Sequence, residues 1–173
     1  MAARPVLPDL LKPGLDLVIC GTAAGYRSAE MRAYYAHSSN RFWRTLAETA
    51  LTSRELSPPD YPLLLDFGIG LTDLAKHYKG ADAGLVDDDV NLTSFWNKIG
   101  SVSPRVLAFN GKTAARLALG RRSVAIGPQE TGFGTTIVFV LPSTSGRAGG
   151  YWDPVPWREC AELVRELRTP WRQ

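Results

Sequence analysis

The stretch Leu15-Asp-Leu-Val-Ile-Cys20, running at once into Gly21-Thr-Ala-Ala-Gly25, constrains this chain more than any other. A short apolar run bounded by small turn-forming residues reads as a fully buried strand, and such strands belong in parallel sheets covered by helices. The glycines at its end force a turn and let the backbone approach closely whatever lies beyond. In open α/β sheets, ligands sit past the carboxyl ends of the strands. Tyr34 and Tyr35 then set a flat aromatic surface beside the turn, before the next helix. That pairing suits a planar ligand, and it equally suits two core tyrosines in a plain strand-to-helix connection.

Pro104-Arg-Val-Leu-Ala-Phe-Asn110 and Thr136-Ile-Val-Phe-Val-Leu-Pro142 repeat the buried-strand pattern. Helical spacing follows the caps Ser38-Ser39-Asn40, with Phe42, Trp43, Leu46, Ala47, Ala50 and Leu51 on one face. Further helices are expected after Ser57-Pro58-Pro59-Asp60, over Val90 to Ile99 with Asp87-Asp88-Asp89 as an acidic start, from Gly111 to Leu119 closed by Gly120, and from Val155 to Leu167. Phe67-Gly-Ile-Gly-Leu-Thr-Asp73 is a short extended stretch ending on a carboxylate. Lys76 to Asp89 reads as a mobile surface loop, and residues 1–14 as a lead-in with one helical turn ending at Lys12-Pro13-Gly14. Alternating strands and helices define an α/β chain, a three-layer α/β/α arrangement with a central, mostly parallel sheet. The loops after Cys20, Asn110 and Pro142 then share one rim.

At 173 residues and 45% hydrophobic, the expectation is one domain over residues 1–173. No run of about 18 apolar residues suggests a membrane span, and Met1-Ala-Ala-Arg-Pro-Val-Leu-Pro8 lacks a signal-peptide core. A cytoplasmic, nucleoid-associated protein with no membrane partner is expected, with Cys20 and Cys160 as buried, reduced thiols. The net charge of +3 permits nucleic-acid binding without showing it. Gly111-Lys112-Thr113 resembles the end of a phosphate loop, but Val106 stands where that loop needs its first glycine, which excludes a nucleoside-triphosphate site.

Brought to one rim, these loops offer a small-residue turn with Tyr35, the Asp73 carboxylate, and an arginine in the glycine-bounded loop Ser143-Thr-Ser-Gly-Arg-Ala-Gly-Gly150. A base flipped out of a duplex needs an aromatic face, backbone close to its edge, and a side chain to occupy the hole it leaves. Cleaving its glycosidic bond adds a need for negative charge, because the sugar becomes cation-like.

From about Leu10 to Arg165 the chain resembles the mismatch-specific uracil/thymine-DNA glycosylase branch of the uracil-DNA glycosylase superfamily. The resemblance rests on Pro13-Gly14-Leu15, on Gly21-Thr-Ala-Ala-Gly25 as a first motif, and on Ala36-His37-Ser-Ser-Asn40-Arg-Phe-Trp43. Gly68-Ile-Gly-Leu-Thr72 and Leu141-Pro-Ser-Thr-Ser-Gly146, a second motif, complete it. It implies a uracil-DNA-glycosylase-like fold, no metal or other cofactor, and a monomeric hydrolase whose partner is double-stranded DNA carrying uracil or a mismatch, with single strands as a further substrate. The activity implied is monofunctional removal of uracil at the start of base-excision repair, since no lysine is placed to form a Schiff base.

The resemblance places Gly21, Thr22, Ala23, Gly25, Ser28 and Tyr35 around the base, with Tyr35 as the stacking ring. It places Ser143, Ser145, Gly146 and Arg147 in the DNA-intercalating loop, with Arg147 as the wedge, and gives His37 a loop-holding role. Two departures matter. The first motif commonly reads Gly-Ile-Asn-Pro-Gly, with the asparagine positioning the catalytic water, and Ala23 stands there here. Asp73 is the nearest carboxylate to take that role. The second motif commonly reads Asn-Pro-Ser-Gly-Leu-Ser, and Arg147 replaces its apolar wedge. Loss of the asparagine leaves a non-catalytic DNA-damage binding module as the alternative, whereas a nucleoside hydrolase would need acidic metal ligands near the first strands that the sequence lacks.

Overall fold

A computed structural model describes residues 3–168. Five strands, β1 (Leu17–Gly21), β2 (Ile69–Asp73), β3 (Val106–Asn110), β4 (Gly127–Pro128) and β5 (Ile137–Leu141), form one sheet in the order β2-β1-β3-β5-β4. β2, β1, β3 and β5 run parallel, and only the two-residue β4 is antiparallel, against β5. Every residue of β1, β2 and β3 is buried, as strands covered on both faces must be, including the polar Thr72 and Asp73 that close β2.

Helices cover both faces. Leu17, Ile19, Ile69, Leu71, Val106, Ala108, Phe139 and Leu141 pack against α2 (Phe42–Glu48) and α5 (Val155–Arg168) through Phe42, Leu46, Trp157, Cys160 and Val164. Val18, Cys20, Leu107, Phe109, Val138 and Val140 face α3 (Leu92–Val102) and α4 (Lys112–Leu119) through Phe95, Ile99, Ala114, Ala115 and Ala118. The fold is the expected three-layer α/β/α sandwich.

Strand parity decides what reaches the carboxyl rim. Side chains alternate along a strand, so Gly21 shares a face with Leu17 and Ile19, Asp73 with Ile69 and Leu71, and Asn110 with Val106 and Ala108. Gly21 pairs with Asp73 in register, and Asn110 follows the Cys20–Phe109 pair by one step. Asp73, Gly21 and Asn110 therefore form one row across β2, β1 and β3, under the layer of α2 and α5.

Several local expectations are corrected. The lead-in makes no helical turn: Leu10 forms an antiparallel bridge with Leu71, Leu7 and Leu10 enter the core, and the chain turns at Pro13-Gly14 with Gly14 at φ +78°. The segment Pro58–Phe67 is a 3-10 helix, because Pro58, Pro59 and Pro62 supply no amide hydrogens for an α ladder. α2 ends at Glu48, and Ala50 turns left-handed at φ +58°, so Ala50 and Leu51 lie outside it. A short α1 (Tyr26–Met31) occupies what reads as loop in the sequence. Asp87–Asp89 makes its own 3-10 turn, and Asn91 caps α3 by accepting from the Ser94 amide at 2.9 Å. Lys76 to Asp89 is tied down through a Lys79–Ala24 bridge and the Lys76–Asp9 ion pair.

Candidate active site

The first-motif turn leaves β1 at Gly21, where no side chain fits. A Cβ built there lies 2.7 Å from Asp73 Oδ1 and 3.1 Å from Tyr35 Oη. The carboxyl of Asp73 and the phenol of Tyr35 thus meet over the gap that glycine leaves. Asp73, the last residue of β2, is 5% exposed. Burial pushes its pKa up to about 6; the Lys76 charge opposes this, while Asp9 and Asp82 add to it. Burial acts the same way on Asp9, but there the Lys76 charge and hydrogen bonds from Lys76, Lys98 and Thr72 prevail and hold the carboxyl below its usual range. Those contacts are short: 2.8 Å to Lys76 Nζ, 2.5 Å to Lys98 Nζ and 2.7 Å to Thr72 Oγ1. With the two lysines already committed to Asp9, Asp73 is left with a raised pKa in a dry setting.

Tyr35 is held in the left-handed region at φ +52°. Its ring stacks on Phe42 with centroids 4.0 Å apart and planes 27° from parallel, and the residue is half-buried. Its hydroxyl is cut off from solvent and meets no partner at hydrogen-bonding geometry, with the Asn110 side chain beside it. Burial and the neighbouring Asp73 push the phenol well above its ordinary pKa, so it stays a neutral donor.

The second motif is anchored from β3. Asn110 Nδ2 donates to Thr144 Oγ1 at 2.9 Å, and the Thr144 amide donates to Asn110 Oδ1 at 3.0 Å. The Arg41 amide donates to the Thr144 carbonyl at 2.9 Å, and Trp157 Nε1 to the Pro142 carbonyl at 2.9 Å. Gly146 lies against Ser39, where a Cβ would collide with its side chain. His37 holds that neighbouring loop by accepting the Ser39 amide at 3.1 Å.

The fold brings Gly21, Thr22, Ala23, Tyr35 and Asp73 together at the rim. The buried Ser28 hydroxyl accepts the Ala36 amide at 3.1 Å and so fixes the loop carrying Tyr35. Gly25 caps α1 from an exposed position with open space around its Cα. Ser143 and Ser145 shape their own loop, accepting from the Ser145 and Arg147 amides at 3.2 and 3.3 Å. Arg147 is exposed at the start of a 3-10 turn, Gly146–Tyr151. Sequence reading missed Asn110 and Thr144, although the parity of Val106, Ala108 and Asn110 carries the signal. It also missed Asp82, which reaches the first motif from the loop after β2. Among the described residues, no group of three or more His, Cys, Asp or Glu is placed to hold a metal.

A buried carboxyl thus stands beside an aromatic ring at the carboxyl rim of a parallel sheet, with a loop fixed on either side. The sequence pattern of the uracil DNA glycosylase superfamily matches residues 8–162, and the chain belongs to that superfamily. Its fold is similar to the solution NMR structure of a candidate uracil DNA glycosylase from Methanosarcina acetivorans, with a TM-score of 0.64. The two are 21% identical over 96% of this chain and 98% of that one. Membership supports DNA glycosylase chemistry, a hydrolysis, with DNA as the partner. No helix among the described residues is long and apolar enough to cross a membrane.

Proposed function

We propose that the protein is a monofunctional DNA glycosylase that hydrolyses the N-glycosidic bond of uracil, mismatched or not, within the mismatch-directed branch of the superfamily. The observation that carries this reading is the meeting of Asp73 and Tyr35 over Gly21, at the rim where the family's first motif ends. The extruded uracil stacks on Tyr35 against the backbone of Gly21, Thr22 and Ala23, and Arg147 fills the vacated stack. As the bond weakens, the sugar gains positive charge, and the ionised Asp73 carboxylate, held in low dielectric, stabilises it. The product is an abasic site with an intact strand, the first intermediate of base-excision repair. The protein acts as one domain and a monomer, on duplex and single-stranded DNA, in the cytoplasm at the nucleoid.

The test is an excision panel on U·G, U·A and T·G duplexes and single-stranded uracil. Alkali-labile abasic sites on the uracil substrates, with no strand break before alkali, are the expected result. Ala23 favours one competing reading, because alanine offers no side chain to hold a water. Mobility shifts on these duplexes without any abasic product would establish a damage-binding module instead.

A further inference from the structure

We infer that Asp82 is a second catalytic carboxylate, the group that holds and deprotonates the attacking water. This rests on the glycosylase reading above and adds to it a residue that neither the family pattern nor the sequence points to. The first-motif turn is not free-standing: the segment after β2 is laced to it. The Leu74 amide donates to the Gly21 carbonyl at 3.1 Å, the Ala75 amide to the Thr22 carbonyl at 2.8 Å, and the Gly80 amide to the Ala24 carbonyl at 2.9 Å. Lys79 bridges Ala24 in parallel. That lacing delivers Asp82, the first residue of a 3-10 turn, to the motif, where Thr22 Oγ1 donates to Asp82 Oδ2 at 3.4 Å.

Position separates the two carboxylates. Asp73 is buried at the end of β2, behind Gly21 and Tyr35, where it lines a cleft of about 280 Å³ with the cations of Lys76 and Lys98. Asp82 is exposed, so one oxygen can face Thr22 while the other receives a water. Its partner Thr22 directly precedes Ala23, the position whose side chain cannot hold that water. The step is balanced: the water oxygen bonds to C1′ as the C1′–N bond breaks, its electron pair leaves with the base, and the water proton passes to Asp82. Two carboxylates in unlike settings take two roles, the buried one stabilising charge and the exposed one activating water.

The experiment compares wild type, Asp82→Asn, Asp82→Ala and Asp82→Glu in single-turnover excision from a uracil duplex, with binding to abasic-site DNA measured alongside. Asp82→Asn is expected to excise at least 100-fold more slowly, while its affinity for abasic DNA stays within about threefold, in the range that loss of a positioned base produces. Added formate should restore part of the Asp82→Ala rate, and Asp82→Glu should retain more activity than Asp82→Asn. Neither recovery is expected if Asp82 only shapes the loop. An active wild type together with Asp82→Asn at the wild-type rate, or an Asp82→Ala enzyme slow but deaf to formate, overturns the assignment and leaves the glycosylase reading standing. A wild type that produces no abasic sites overturns both.

Discussion

Tyr35 carries two properties that its place in the sequence does not reveal. That an aromatic residue follows the small-residue turn is visible from the chain, but its left-handed backbone and the enclosure of its hydroxyl beside Asp73 arise only from tertiary packing. A non-glycine residue in that conformation costs about 1–2 kcal/mol, so the surroundings must hold it there. Phe42 does so by lying against one ring face, leaving the rest of the half-buried ring for a base. Tyr35→Ala is expected to remove about 1–3 kcal/mol of base stacking. Excision at subsaturating DNA should slow accordingly, by roughly 5- to 150-fold, while affinity for undamaged duplex is unchanged. Unaltered excision kinetics in that variant would remove Tyr35 from the base site. Asp73 was legible as a carboxylate closing an extended segment, whereas Asp82, nine residues further along, was hidden in a polar run whose path is set by backbone pairing with the first-motif turn.

The elements were legible where hydrophobic period and burial agree. The β1, β3 and β5 runs and the α5 stripe each bury what their pattern says they bury. The pattern misled where single residues override it: prolines convert the segment after Ser57 to 3-10 geometry, and Leu10 bridges the sheet edge while Leu7 enters the core, rather than forming a turn of helix. The second-motif loop depends on one element junction, the paired bonds between Asn110 at the end of β3 and Thr144. Asn110→Ala leaves buried Thr144 groups unpaired and should destabilise the fold by about 2–3 kcal/mol, read as a lower urea midpoint at unchanged slope. No shift in midpoint would mean that the junction is not holding the loop. Arg147 projects from that loop between glycines. As the wedge, it should matter most where a base pair must open. Arg147→Ala is expected to lose more activity on U·A duplex than on single-stranded uracil, and equal losses would assign it to phosphate contact instead.

At the scale of the whole molecule, the class of fold followed from alternating buried runs and helical stripes, and the shared rim followed from parallel strands. The row of Asp73, Gly21 and Asn110 did not, because register across β2, β1 and β3 is set by long-range pairing that no local pattern encodes. Placing a carboxylate in that row strains the fold. With the Asp73 pKa raised to about 6, the folded chain keeps a proton between pH 4 and 6 that the unfolded chain has released. Stability therefore falls as pH rises through that window, and the penalty is complete above about pH 6. Asp73→Asn should consequently be more stable than wild type at pH 8, by up to about 3 kcal/mol, and nearly equal to it at pH 4, as followed by denaturation at the two pH values. Excision should show the opposite trend in the wild type, declining as pH drops through about 6 and the carboxylate is neutralised. The most direct test of a buried catalytic charge at this rim is the single-turnover excision rate of Asp73→Asn beside wild type, on a U·G duplex at pH 8. A loss of about two orders of magnitude or more, in a variant at least as stable as wild type and still able to bind abasic DNA, is the predicted result. Excision at the wild-type rate would contradict it.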